Sequence, residues 1–293
     1  ALGGAAALFA ALLWSIASFL FARVNPHIHA LEINFLKGVS GLILLIIAAL
    51  LSGGLAPAIS TQALLFLILS GVIGITLGDS AFLQALKHLG ARRTLLMATL
   101  APPMTGILAW IFLGETLTWM SWLGIALTAA GVAWVITERN PQSAANAVRL
   151  WPGLPLGALA ALAQSSAVVL SRTVLTQTQV SALQTAIVRL LAGTLFLAVW
   201  LLIAGRPLYS RIKFQSVKGL GRDLLLATFL GTFLAMWLQQ ISIELIPAGI
   251  AQTLISTSPL FILPIALLSG ERVTLRAVFG VLIALAGVWL LFI

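Results

Sequence analysis

Gly114-Glu115-Thr116-Leu117-Thr118 returns as Gly270-Glu271-Arg272-Val273-Thr274, and the separation of 156 residues between 114 and 270 decides how the rest of the chain is read. At the same offset Pro103 meets Pro259, Gly124 meets Gly280, Ala130 meets Ala286, and Gly131-Val132 meets Gly287-Val288. With small shifts the comparison runs backwards to Gly74 with Gly231, Lys37 with Arg189, and Trp14-Ser15 with Gln164-Ser165. Chance does not readily give that pattern, so the chain contains two copies of one unit.

Working outward, each copy lies in a sequence that is 61% hydrophobic and 8% charged, against roughly 25% charged residues in a soluble domain. Apolar stretches of about twenty residues, the length a helix needs to cross a bilayer core, follow one another with short interruptions. Ten spans are expected: Leu2–Ala22, Leu31–Leu51, Gln62–Phe82, Thr94–Leu113, Trp119–Thr137, Gly153–Ser171, Gln184–Ala204, Leu224–Ile243, Gly249–Leu268 and Leu275–Phe292. Connections carry turn signals such as Asn25-Pro26, Ser52-Gly53-Gly54 and Asn140-Pro141. Five spans per copy is an odd number, so the second copy enters the membrane from the opposite side. The expectation is an all-α polytopic membrane protein of ten transmembrane helices in two inverted five-helix repeats, 1–140 and 149–293. Inverted repeats recur in secondary transporters, where one half rocks against the other about a site at mid-depth.

Several classes are disfavoured. The net charge of +9 comes from basic residues scattered over connections, which argues for membrane orientation rather than nucleic-acid binding. Cysteine is absent, excluding thiolate chemistry and disulfides. His27, His29 and His88 fall in or beside connections, no His-Glu-x-x-His motif occurs, and Asp79 has no second mid-membrane aspartate. Neither an enzyme nor a metal or other cofactor is expected. A passive channel is disfavoured because the chain shows no charged ring. The start at Ala1 reads as lacking the true terminus, with the first span a helix rather than a signal peptide.

The paired Gly-Glu elements, ten short-looped spans, Trp14-Ser15 in helix 1 and prolines in helices 4 and 9 together resemble the drug/metabolite transporter superfamily. The chain is similar to its EamA-type ten-helix members, and more narrowly to YddG-like amino-acid exporters of the bacterial inner membrane. That resemblance implies a monomeric exporter of small metabolites, amino acids including aromatic ones among them, with a central cavity between the halves. Relatives of this fold also carry nucleotide sugars, phosphorylated metabolites or drugs. Such phosphorylated cargo needs a strongly basic cavity, whereas only Lys37 and Arg189 lie inside spans. In one departure, Gln164 stands where the family often repeats the helix 1 tryptophan.

Thirteen of the sixteen basic residues belong to odd-numbered connections, and Arg172 alone to even-numbered ones. The positive-inside rule then predicts cytoplasmic odd connections and periplasmic termini.

Candidate site residues follow from polar groups placed where lipid would not tolerate them. Pro102-Pro103 in helix 4 and Pro259 and Pro264 in helix 9 each remove a backbone donor, and such breaks survive only where a cavity or neighbouring protein satisfies the freed groups. Thr99, and on the other side Gln252, Ser256, Thr257 and Ser258, surround these breaks. Trp14 and Ser15, with their counterparts Gln164, Ser165 and Ser166, occupy the middles of helices 1 and 6. A mid-membrane indole favours an inward orientation over an interfacial one. Asp79, Ser80 and Gln84 face Trp237, Gln239 and Gln240 in the repeat comparison, and Asp79 is assigned a substrate or proton-coupling role beside the competing reading that it snorkels to water. Substrate contacts are therefore expected from Trp14, Ser15, Asp79, Ser80, Thr99 and Pro102 in the first copy. The second copy is expected to supply Gln164, Ser165, Trp237, Gln252, Ser256 and Thr257. Gly114 and Thr118 are read as a helix C-terminal glycine and an N-cap, with Glu115 tying the hairpin to its neighbours.

Overall fold

The computed structural model describes residues 1–24, 28, 30–52, 59–136, 150–205, 219–261 and 275–292. Pro264, the second Gly-Glu element at 270–274, and the connections 137–149 and 206–218 lie outside the described residues.

The helices are α1 (Leu2–Val24), α2 (Ala30–Leu51), α3 (Thr61–Gly71), α4 (Ser80–Ala98), α5 (Ala101–Leu113), α6 (Trp119–Ile136), α7 (Leu150–Gln177), α8 (Ala182–Ile203), α9 (Leu220–Ala227), α10 (Met236–Leu245), α11 (Ala248–Ile255) and α12 (Leu275–Leu290). Two eight-residue π-helical stretches, Val72–Asp79 and Thr228–Ala235, join α3 to α4 and α9 to α10. They begin 156 residues apart, so the repeat legible in the Gly-Glu elements extends to a local backbone anomaly. π-Helical turns are rare and concentrate at functional sites.

Six of these helical segments are long and apolar enough to span a bilayer: Leu2–Phe21, Leu31–Leu51, Thr61–Ala85, Pro152–Gln177, Ala182–Ile203 and Leu220–Leu245. Ala101–Leu113, Trp119–Val135 and Val278–Leu290 are shorter apolar helices. The third, sixth and eighth spans overrun the expected limits because helical hydrogen bonding does not stop where the apolar stretch does. The largest difference concerns residues 83–93, expected as a connection, where α4 continues to Ala98. Its contacts nevertheless reverse along α7: Gly78 meets Ala163, Leu89 meets Gly153, and Met97 returns to Gly157. The chain therefore turns back within α4, and the fourth span comprises the end of α4 together with α5.

Exposure is distributed as lipid demands. Ile43, Ile47, Trp110, Phe112, Leu202 and Ile203 face outward, while Asn34, Thr76, Thr185, Gln240 and Thr253 are buried. Inside, hydroxyls hold helices together or bond their own preceding turn. Ser70 Oγ donates to the Ala167 carbonyl at 2.6 Å, Thr76 Oγ1 to the Gly193 carbonyl at 2.8 Å, and Thr253 Oγ1 to the Gly249 carbonyl at 2.6 Å.

Contacts also fix the relative direction of the halves. Gly124 lies against Gly287 and Gly131 against Ala284 and Gly280, so α6 and its counterpart α12 run antiparallel. Gly38 meets Thr194, Gly41 meets Leu190, and Leu31 packs with Leu197 and Leu201, so α2 and α8 are antiparallel as well. Equivalent helices crossing in opposite senses make the two halves inverted. They exchange partners too: α1 packs on α9, α10 and α11, whereas α7 packs on α3, α4 and α5.

Candidate functional site

Both proline-bearing spans are interrupted. α4 stops at Ala98, Thr99 and Leu100 form a turn, and α5 starts with prolines in its first positions. α11 stops at Ile255, Ser256 and Thr257 form the matching turn, and a short helical stretch resumes at 258 just before Pro259. Each break is bridged by shorter hydrogen bonds, Leu100 N–H to Met97 O at 3.1 Å and Leu260 N–H to Thr257 O at 2.8 Å. Pro102, Pro103 and Pro259 cannot donate to the carbonyls of Ala98, Thr99 and Ile255, four residues earlier. All three of those residues line one cavity between the halves.

The cavity measures about 210 Å³, smaller than the roughly 300–1,000 Å³ of sites for drug-sized ligands. It brings together Trp14, Asp79 and Thr99 from the first copy with Gln164, Gln252 and Ser256 from the second. The other expected residues stand outside its lining. Ser15 Oγ is buried away from it; Ser80 Oγ lies 3.5 Å from Asn34 Nδ2; Pro102 is buried in the first turn of α5. Ser165 Oγ donates to the carbonyls of Ala161 and Ala101, Trp237 packs on Phe233, and Thr257 Oγ1 donates to the Leu254 carbonyl. The walls also include Ser18, Phe82, Thr94, Gln239, Ser258 and Pro259. Ser18 and Phe82 had a legible signal, since they lie one turn beyond Trp14 and Asp79 on the same helical faces.

The Asp79 carboxylate Oδ2 pairs with Lys37 Nζ at 2.5 Å, and its side chain remains 29% exposed. Gln252 is buried, and its Oε1 finds no hydrogen-bond partner among the described residues.

Walls from spans 1, 3, 4, 5 and 6 belong to the central and odd-connection parts of those spans, whereas Gln239 of span 8 and Gln252, Ile255 and Ser256 of span 9 belong to the central and even-connection parts of theirs. Spans 4 and 9 meet on the even-connection side. There Gly106 of α5 and Gly249 of α11 approach so closely that a Cβ on Gly249 would stand 3.0 Å from Gly106 Cα. Nearby, Glu115 binds Arg172 and caps α11 through the Ala248 N–H at 2.9 Å. Gly114 takes φ +66°, the left-handed value a helix-ending glycine supplies, and Thr118 Oγ1 accepts the Ser121 N–H at 3.1 Å.

Fold and site together define a polytopic α-helical membrane protein of two inverted halves around a central cavity whose largely apolar wall carries a few polar side chains. The sequence profile described as the EamA-like transporter family matches residues 1–137 and 151–293, and the chain belongs to that family. It is a membrane transporter of small molecules, not an enzyme. A solved structure described only as "Crystal structure of protein" is similar with a TM-score of 0.79 at 17% identity, covering 98% of this chain and 95% of that one, a likeness of fold. No curated protein matches the sequence significantly.

Proposed function

We propose that this transporter exports amino acids or closely similar small zwitterionic metabolites across the bacterial inner membrane, by alternating access through the central cavity. The supporting observation is convergence: the two broken spans, the centres of α1 and α7 and the end of the first π-helical stretch deliver an indole, a carboxylate, hydroxyls and amides to one small hollow. The Asp79 carboxylate suits a substrate amino group. The proline-freed carbonyls and the Gln164 and Gln252 amides suit the remaining polar atoms, and Trp14 supplies a flat apolar face.

Repeats 1–140 and 149–293 are the two moving halves in this reading, the chain works as a monomer, and the YddG-like exporters are a functional analogy for it. The positive-inside distribution supports cytoplasmic odd connections and periplasmic termini, so in this reading an exporter loads from the odd-connection side. Proton coupling through Asp79 has less support than amine recognition, because Lys37 already holds that carboxylate. A phosphorylated cargo is disfavoured by a cavity wall without a basic side chain among its described residues.

Purified protein in liposomes, loaded with a panel of labelled amino acids and nucleotide sugars, tests the proposal. Amino-acid counterflow is the expected result. Transport confined to phosphorylated compounds, or uptake without exchange, would replace it with the runner-up cargo or with a channel.

A further inference from the structure

Lys37 of α2 and Arg189 of α8 are counterparts 152 residues apart, and so are the glycines four residues beyond them, Gly41 and Gly193. Each glycine receives a threonine from the opposite half's π-helical stretch: Thr76 donates to the Gly193 carbonyl, and the methyl of Thr232 would stand 2.6 Å from a Cβ on Gly41. Thr76 and Thr232 hold the same place in the two stretches, which end at Asp79 and at Ala235. The duplication thus provides two cation positions but one carboxylate.

In the present state Lys37 has that carboxylate at 2.5 Å. Arg189 is 3% exposed, and its Nε and Nη1 have no hydrogen-bond partner among the described residues. Its other terminal nitrogen, Nη2, would stand 3.4 Å from a Cβ on Gly74, which lies one π-turn before Asp79, and the Asp79 charge acts on it. A buried guanidinium with vacant donors raises the free energy of this state, and pairing it lowers the energy of another. The i→i+5 ladder that carries Asp79 has an i→i+4 alternative, and changing between them turns Asp79 about the span axis.

We infer that Asp79 exchanges Lys37 for Arg189 when the cavity opens to the opposite side, making Arg189 the positioning cation of the second transport state. This rests on the carrier reading, yet it is tested without substrate and so fails independently of any cargo assignment.

The cysteine-free chain permits a single reporter, Ser256→Cys in the cavity wall, labelled by a membrane-impermeant thiol reagent from either side of oriented vesicles. Lys37→Met should lower the ratio of odd-side to even-side labelling about tenfold, and Arg189→Met should raise it about tenfold, the order expected when one ion pair biases a two-state equilibrium. On an Asp79→Asn background both shifts should vanish, while Arg189→Lys should keep the parent ratio. Arg189→Met should also melt no lower than the parent, because it removes an uncompensated buried charge. Shifts in the same direction, unchanged ratios, or a destabilised Arg189→Met each overturn the inference. So does a Lys37→Met protein that fails to fold, since Asp79 would then have no second partner.

Discussion

Arg172 Nε stands 2.5 Å from Glu115 Oε1, and the same guanidinium donates to the carbonyls of Ile243 and Glu244 at 2.5 and 2.8 Å. With Glu115 Oε2 accepting the Ala248 N–H, one ion pair joins the turn after span 4, the end of span 6, the end of span 8 and the start of span 9. These are the elements that must part if the cavity is to open towards the even connections. Glu115→Ala is expected to cost stability near the lower end of the about 3–5 kcal/mol for breaking a buried pair, since the two side chains are 17% and 13% exposed. It should also raise thiol labelling of the cavity from the even-connection side. Glu115→Gln keeps an acceptor for Ala248 and should lose less. Thermal melts and two-sided labelling of the same samples check both statements, and an unchanged labelling ratio would reduce the pair to a staple.

The crossing of α6 and α12 depends on absent side chains. A Cβ on Gly287 would stand 2.5 Å from Thr128 N, and one on Gly131 would collide with Ala284 N. Gly131→Ala and Gly287→Ala should each destabilise by about 1–3 kcal/mol or more, as overpacking does. Gly114→Ala meets nothing within 4 Å and should cost about 1–2 kcal/mol, for its positive φ alone. Equal melting of all three variants in detergent would contradict the close crossing.

Gln164→Leu and Gln252→Leu each remove polar atoms from the cavity wall. A net hydrogen bond is worth about 0.5–1.5 kcal/mol, so substrate affinity should fall about 2- to 12-fold for each. Ser52→Ala, at an exposed helix end with its hydroxyl on the Ala49 carbonyl, should bind as the parent does. Equilibrium binding of the best transported amino acid is the measurement, and equal affinity in all three variants would move the site elsewhere.

If Asp79 serves as a charge that meets Lys37 and the substrate, Asp79→Asn should slow export while leaving its relative dependence on pH intact. Loss of that dependence in the liposome assay would instead make Asp79 the proton carrier.

Much of this architecture was legible in one dimension. Hydropathy marked the spans, and the spacing of Gly114-Glu115 to Gly270-Glu271 exposed the repeat. Pro102, Pro103 and Pro259 located the two interruptions, because a missing backbone donor is a property of the residue itself. Polarity alone did not separate cavity from packing. Ser165 and Thr257 looked as available as Thr99 and Ser256, yet only the latter two line the cavity.

Residue types and their order determined that the chain lives in lipid as two mutually inverted five-helix units, since apolar length, an odd span count and a fixed repeat offset are local properties that survive without coordinates. Only the tertiary structure decided that Asp79 belongs to Lys37, that Glu115 reaches across to Arg172 and Ala248, and that spans 4 and 9 meet on the even-connection side. Those relations join residues 42 to 133 positions apart through helix rotations and crossings. Sequence spacing along one helix cannot say which side chains from different helices will share the same few ångströms.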